Sequence, residues 1–181
     1  MKCTIEAKML PLVGVSGHLY LEVFDEKGDR ICQINGLATD GKTGKTKSMG
    51  FPGDVIKAYL SDDCGIMLSA SARCSRDDHS HVGRVIFEGS REDIDKILAA
   101  IRLRAAEINE ADAPYKIMSL NSNTVFREMV EVIESAVTID RKALLEMTTS
   151  RPLPGVATDF NKAVSGLKKN PAGPKPQTPK K

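Results

Sequence analysis

In its strand-like runs up to residue 88 the apolar residues of this chain recur at every second position, and in the runs between residues 90 and 150 at every third or fourth. That change of period limits the fold more than any other feature. Cys3, Ile5, Ala7 and Met9 alternate with Thr4, Glu6 and Lys8, the mark of a strand buried on one face. Pro11 and Gly14 break the run. Leu19, Leu21 and Val23 carry a second alternation from His18 to Phe24, and the turn Asp25–Asp29 sends the chain back over Ile31–Ile34 as its antiparallel partner. Val55–Leu60, Ile66–Ala72 and Val82–Glu88 are further strands, the last two joined by the polar turn Ser75–Ser80. The Gly-, Lys- and Thr-rich segment Thr39–Gly53 reads as a loop.

After Ser90 the spacing becomes helical. Ile94, Ile97, Leu98, Ile101, Ala105 and Ile108 fall on one face of a helix of about five turns. Ser90 with Asp93 resembles a capping box, and Pro114 lies beyond the far end. A second helix carries Val125, Phe126, Met129, Val130 and Ile133, and a short third one spans Asp140–Met147. Strands first and helices after them predict an α+β domain over residues 1–150, with a mainly antiparallel sheet of about five to six strands and two to three helices packed on it. With 4% aromatic residues and no Trp, its core must rest on Ile, Leu, Val, Met and Ala.

Residues 151–181 read differently. Pro171, Pro174, Pro176 and Pro179 alternate with lysines, and such a composition cannot bury enough apolar area to offset its ordering entropy, so this tail is expected to be mostly disordered. Lys168, Lys169, Lys175, Lys180 and Lys181 outweigh the whole formal net charge of +2, which leaves the body slightly acidic. An acidic body without a basic, aromatic stripe argues against nucleic acid as a partner. The tail reads as an inert solubilising end or as a docking segment for an acidic surface or partner, a protein among them. Cys3, Cys32, Cys64 and Cys74 have no C-x-x-C spacing, which fits reduced thiols and synthesis in the cytoplasm. Met9–Val15 is too short and broken for a membrane span and lacks the flanks of a signal peptide, so any export is expected to be signal-independent.

The stretch Asn121-Ser122-Asn123-Thr124 opens directly into the second helix. Such residues are preferred helix caps. A hydroxyl there also lies at the positive end of the helix dipole, beside N–H groups able to hold an oxyanion. A nucleophile needs a base. His79 and His81 sit in the Asp77–His81 turn, where solvated surface is the ordinary reading, and with Cys74 they make an incomplete metal-ligand set. No metal and no cofactor is expected. His18 starts a strand of apolar neighbours. Gln33 and Asn35 lie across the hairpin from that strand, and either could orient its ring, while Asn35-Gly36 also reads as a strand-ending turn.

Gly17-His18 at a strand start, a polar residue on the next strand, and Pro114-Tyr115 followed by Asn121-Ser122-Asn123 at a helix start resemble, in that order, the permuted papain-like superfamily, the circularly permuted relatives of the NlpC-type peptidases. The likeness runs over residues 14–135 and rests on element order. It implies hydrolysis or acyl transfer at an amide, ester or thioester carbonyl, with cell-wall peptides or lipid acyl groups as substrates. By position Ser122 would be the nucleophile, His18 the base and Gln33 or Asn35 the orienting group. Asn121, Asn123 and the first helix amides would lie near the oxyanion or substrate, and Tyr115 would line the cleft or pack beneath it. The chain departs from that pattern at one atom, since Ser122 stands where the relatives carry a cysteine. The alternative is therefore a catalytically inactive papain-like fold used as a binding module, some members of such groups being cargo of bacterial secretion systems.

Overall fold

The period-two half of the chain forms one antiparallel sheet. In a computed structural model that describes residues 2–11, 17–47, 50–61, 82–149, 153–157 and 159–168, the strands are β1 (Cys3–Pro11), β2 (Gly17–Phe24), β3 (Arg30–Asp40), β4 (Thr46–Lys47), β5 (Asp54–Ser61) and β6 (Val82–Gly89). The order along the sheet is β4-β3-β2-β1-β6, with β5 on the other edge of β3. The helices are α1 (Arg91–Glu110), α2 (Ser122–Ala136), α3 (Arg141–Thr149) and α4 (Phe160–Lys168). The fold is α+β.

Alternation decides which face is covered. Cys3, Ile5, Ala7 and Met9 of β1, Leu19, Leu21 and Val23 of β2, and Ile56 and Ala58 of β5 are all buried in one apolar cluster with the helices. All six residues expected on the apolar stripe of α1, and all five expected for α2, are buried there too. Each large aliphatic side chain so removed from water stabilises the fold by about 1.5–3 kcal/mol before the ordering entropy is charged against it. Cys3 and Cys32 are buried, and burial pushes the Cys3 thiol up from its ordinary range.

Three departures from the sequence reading have physical causes. First, β3 does not stop at Asn35-Gly36. It continues to Asp40, because β5 pairs with it from Gln33 to Asp40 and holds the chain extended through the glycine. Second, β4 lies inside the segment read as a loop, where Thr46 and Lys47 pair with Thr39 and Ala38. Third, the expected tail contributes α4. Phe160 is buried, and the Glu128 carboxylate of α2 accepts the Phe160 N–H at 3.1 Å, so one aromatic anchor and one helix-end bond order a lysine-containing segment. The expected strand Ile66–Ala72, the turn Ser75–Ser80, Cys74, His79 and His81 lie outside the described residues.

Candidate active site

The edge of β3 that faces β2 is shared between two partners. β2 pairs with it from Arg30 to Asn35 and β4 pairs with it at Ala38 and Thr39, which leaves Gly36 and Leu37 in a gap. The start of α2 fills the split. A Cβ at Gly36 would lie 2.6 Å from Val125 Cβ and 2.8 Å from the Ser122 carbonyl oxygen, so glycine is what admits the helix. On the β2 side, Asn123 takes the place of a neighbouring strand. Its Oδ1 accepts the Leu19 N–H at 2.9 Å and its Nδ2 donates to the Gly17 carbonyl at 3.1 Å. One side chain therefore bonds the backbone on both flanks of His18.

The knot is also a helix cap. Asn121 Oδ1 accepts the Asn123 N–H at 2.9 Å, and Thr124 Oγ1 accepts the Asn121 N–H at 3.2 Å, which completes a reciprocal capping box. Asn121 Nδ2 donates to the Ile117 carbonyl. A strap of residues 153–157 then crosses the knot. The Pro154 carbonyl accepts from Asn123 Nδ2 at 3.1 Å, and the Gly155 carbonyl lies 3.0 Å from Thr124 Oγ1. Gly155 has φ +84°, and any Cβ there would strike the Asn121 side chain.

His18 is buried, with its ring stacked on Tyr20 at 6.0 Å between centroids. Its Nε2 lies 3.0 Å from Asn35 Oδ1. Of the two amides across the hairpin, Asn35 is the one that meets the ring. Gln33 instead donates to Glu22 Oε1 at 3.1 Å, in a cluster where Glu22 also accepts from Arg30 Nη1 at 2.8 Å and pairs with Lys8 at 3.7 Å. With the Nε2 proton given to Asn35, Nδ1 carries the ring's lone pair.

The structure therefore gathers His18, Asn35, Asn121, Ser122 and Asn123 at one split in the sheet. Among the described residues, no hydrogen bond joins the Ser122 hydroxyl to the His18 ring, and the two are linked through Asn123 instead. The side-chain amides of Asn121 and Asn123, expected near an oxyanion, are committed to the cap, to β2 and to the strap. Tyr115 is not brought in. It lies beyond the outer edge of β5, with its N–H on the Asp54 carbonyl at 2.8 Å and its ring against Gly50, and β3 and β5 separate it from His18. Burial, with the nearby Asp54 charge second, pushes its phenol up.

Sequence reasoning missed Asn123 as the clip and Gly36 as the passage for the helix. The signal for the first was a surplus: a helix cap needs one or two polar side chains, and this one has four. Among the described residues no group of three or more His, Cys, Asp or Glu side chains could hold a metal, and no helix is long and apolar enough to cross a membrane. No family model, no curated protein and no solved structure matches this chain.

Proposed function

We propose that this chain is a papain-like acyl-transfer hydrolase in which Ser122 attacks an amide or ester carbonyl, His18 is the general base and Asn35 orients it. One observation carries the reading: the Asn123 side chain, next to Ser122 in the first turn of α2, is bonded to both residues flanking a histidine whose ring is itself held by an amide. Strand register sets His18 beside Asn35, but helix capping does not by itself require Asn123 to bond β2 on both sides of that histidine.

In the mechanism, Nε2–H donates to Asn35 and Nδ1 takes the Ser122 proton as Oγ bonds to the carbonyl carbon. The Ser122 N–H, at the positive end of α2, is the donor placed for the oxyanion, since the Asn123 and Thr124 amides are used by Asn121. The imidazolium returns the proton to the leaving amine or alcohol, and water repeats the sequence to release the acyl group. A serine alcohol depends on base geometry more than a thiol does, and in a resting enzyme the catalytic contacts commonly tighten only when substrate binds. A peptide or an acyl ester is the substrate class this chemistry takes.

A fluorophosphonate probe tests the reading. Wild-type protein should be labelled, Ser122→Ala should not, His18→Ala should be slowed by about a hundredfold or more, and His79→Ala should match wild type. Labelling that persists in Ser122→Ala, or its absence from correctly folded wild type, sinks the hydrolase. The second reading, a binding module on the same scaffold, is favoured by the two amides already spent on folding contacts, and an unlabelled but folded protein would support it.

A further inference from the structure

Two loops meet at the corner of the sheet beyond β5, and Asp54 ties them together. Its carboxylate accepts the Phe51 N–H at 2.8 Å and its carbonyl accepts the Tyr115 N–H. The second loop is a tight hairpin. Lys116 and Leu120 exchange backbone hydrogen bonds at 2.8 and 2.9 Å, with Ile117 and Met118 at the tip. Tips of this kind normally carry Gly, Asn, Asp or Ser, which suit the turn and stay in water. Here Met118 is 74% exposed, Ile117 52% and Phe51 57%.

The charge around them is net positive. Lys42, Lys45 and Lys116 are exposed, and the turn that bears the first two touches the Phe51 loop where Gly41 approaches the Gly53 carbonyl. The acids of this corner, Asp40 and Asp54, both bond Lys47, at 2.9 and 2.6 Å, which leaves one negative charge against the three exposed lysines. Asp112 is likewise paired with Lys57.

We propose that this corner docks the protein on an anionic phospholipid surface, with Phe51, Ile117 and Met118 entering the headgroup boundary and Lys42, Lys45 and Lys116 facing the phosphates. A convex hairpin tip and a single phenyl ring favour this occupant over a protein. A specific protein interface takes roughly 800 Å² from each partner in matched shape, whereas a bilayer needs only apolar insertion and positive charge. The corner adjoins the candidate active site, because Ile117 supplies the carbonyl that Asn121 Nδ2 holds. Membrane docking nevertheless stands without the hydrolase reading.

The test is co-sedimentation of the full chain with sucrose-loaded vesicles of phosphatidylcholine alone and of phosphatidylcholine with phosphatidylglycerol. Wild type should partition onto the mixed vesicles, and F51S/I117S/M118S should lose at least tenfold, although it keeps the lysine-rich C-terminus. Leu103→Ser, at an equally exposed leucine on α1, and Ser122→Ala should both behave as wild type. Lys116→Glu should weaken binding to mixed vesicles and leave the low binding to neutral ones unchanged. The proposal is overturned if wild type does not partition, if the triple variant binds like wild type, or if Leu103→Ser loses as much. It is also overturned if the patch supports a dimer in sedimentation velocity that the triple variant abolishes and no vesicle binding is seen.

Discussion

Helices α1 and α2 begin with the same device and do different work with it. At α1, Ser90 Oγ accepts the Asp93 N–H at 3.2 Å and Asp93 accepts the Ser90 N–H at 3.1 Å. At α2, Asn121 Oδ1 accepts the Asn123 N–H and Thr124 Oγ1 accepts the Asn121 N–H. The α1 cap is exposed, and its bonds stay within four residues. The α2 cap is buried, Thr124 completely so, and its neighbours send bonds to β2, to the turn at Ile117 and to the strap at residues 154–155. The contrast teaches that a capping motif is silent about function. What separates the two ends is how many bonds leave the helix and how far along the chain they go.

Substitutions can break that contrast, and the largest effect belongs to the clip. Asn123→Ala strips partners from the buried Leu19 N–H and Gly17 carbonyl, so it should cost roughly 3 kcal/mol or more in urea unfolding, and it should also abolish probe labelling. If Asn123→Ala costs no more than a surface change, the bonds to β2 carry no weight. Gly36→Ala should follow at about 1–3 kcal/mol, because the added Cβ meets Val125 and the Ser122 carbonyl in a packed gap. At the other helix, Ser90→Ala should cost about 1 kcal/mol, an isolated cap and nothing more, read from the same melts. Ser122→Ala should change stability by less than about 0.5 kcal/mol while removing labelling. A large loss of stability there would make Ser122 part of the cap.

Acid should separate the corner at Asp54 from both helix starts. Hydrogen bonds from Lys47 first, and then from backbone N–H groups, hold the Asp40 and Asp54 carboxyls below the ordinary carboxylate range. A carboxyl whose pKa is lower in the folded chain than in the unfolded one stabilises the fold fully above the unfolded value, about 4, and loses that contribution as pH falls through the folded value. Stability should therefore decline below about pH 4, and Asp54→Asn should flatten that decline in thermal melts collected from pH 2 to 6. An unchanged slope in the variant would remove Asp54 from the acid response.

Much of the fold was readable because alternation and helical spacing are physical consequences of burying one face. The stripes of β1, β2, α1 and α2 could be named from residue types alone. Gly36 misled for an equally physical reason: Asn-Gly is the strongest hairpin signal, yet here the glycine serves a helix packing across an extended strand. Nothing local in Thr46-Lys47 announces a two-residue strand, since its pairing depends on where β3 happens to run. In the tail, composition concealed Phe160, whose burial needs Glu128 and Arg104 from helices far back in the sequence; the Arg104 guanidinium lies 5.7 Å over its ring. At the site, His18, Ser122 and the hairpin amides could be picked out by type. Which amide met the ring, and that Asn123 was the fastener, depended on strand register and on the sheet's split, and neither is written in a single segment.

The Asn123 clip also fixes when the site can exist. It joins positions 104 and 106 residues apart, and Asn123 follows the last strand of the sheet in chain order. On a ribosome, Asn123 is added on the order of ten seconds after Leu19, so a nascent chain can hold the sheet, His18 and Asn35 with no second half for them to act with. Loop closure over that distance is among the slower steps open to a small domain. Whatever chemistry the split supports is thereby withheld until the start of α2 has been added, a timing imposed by the order of the sequence alone.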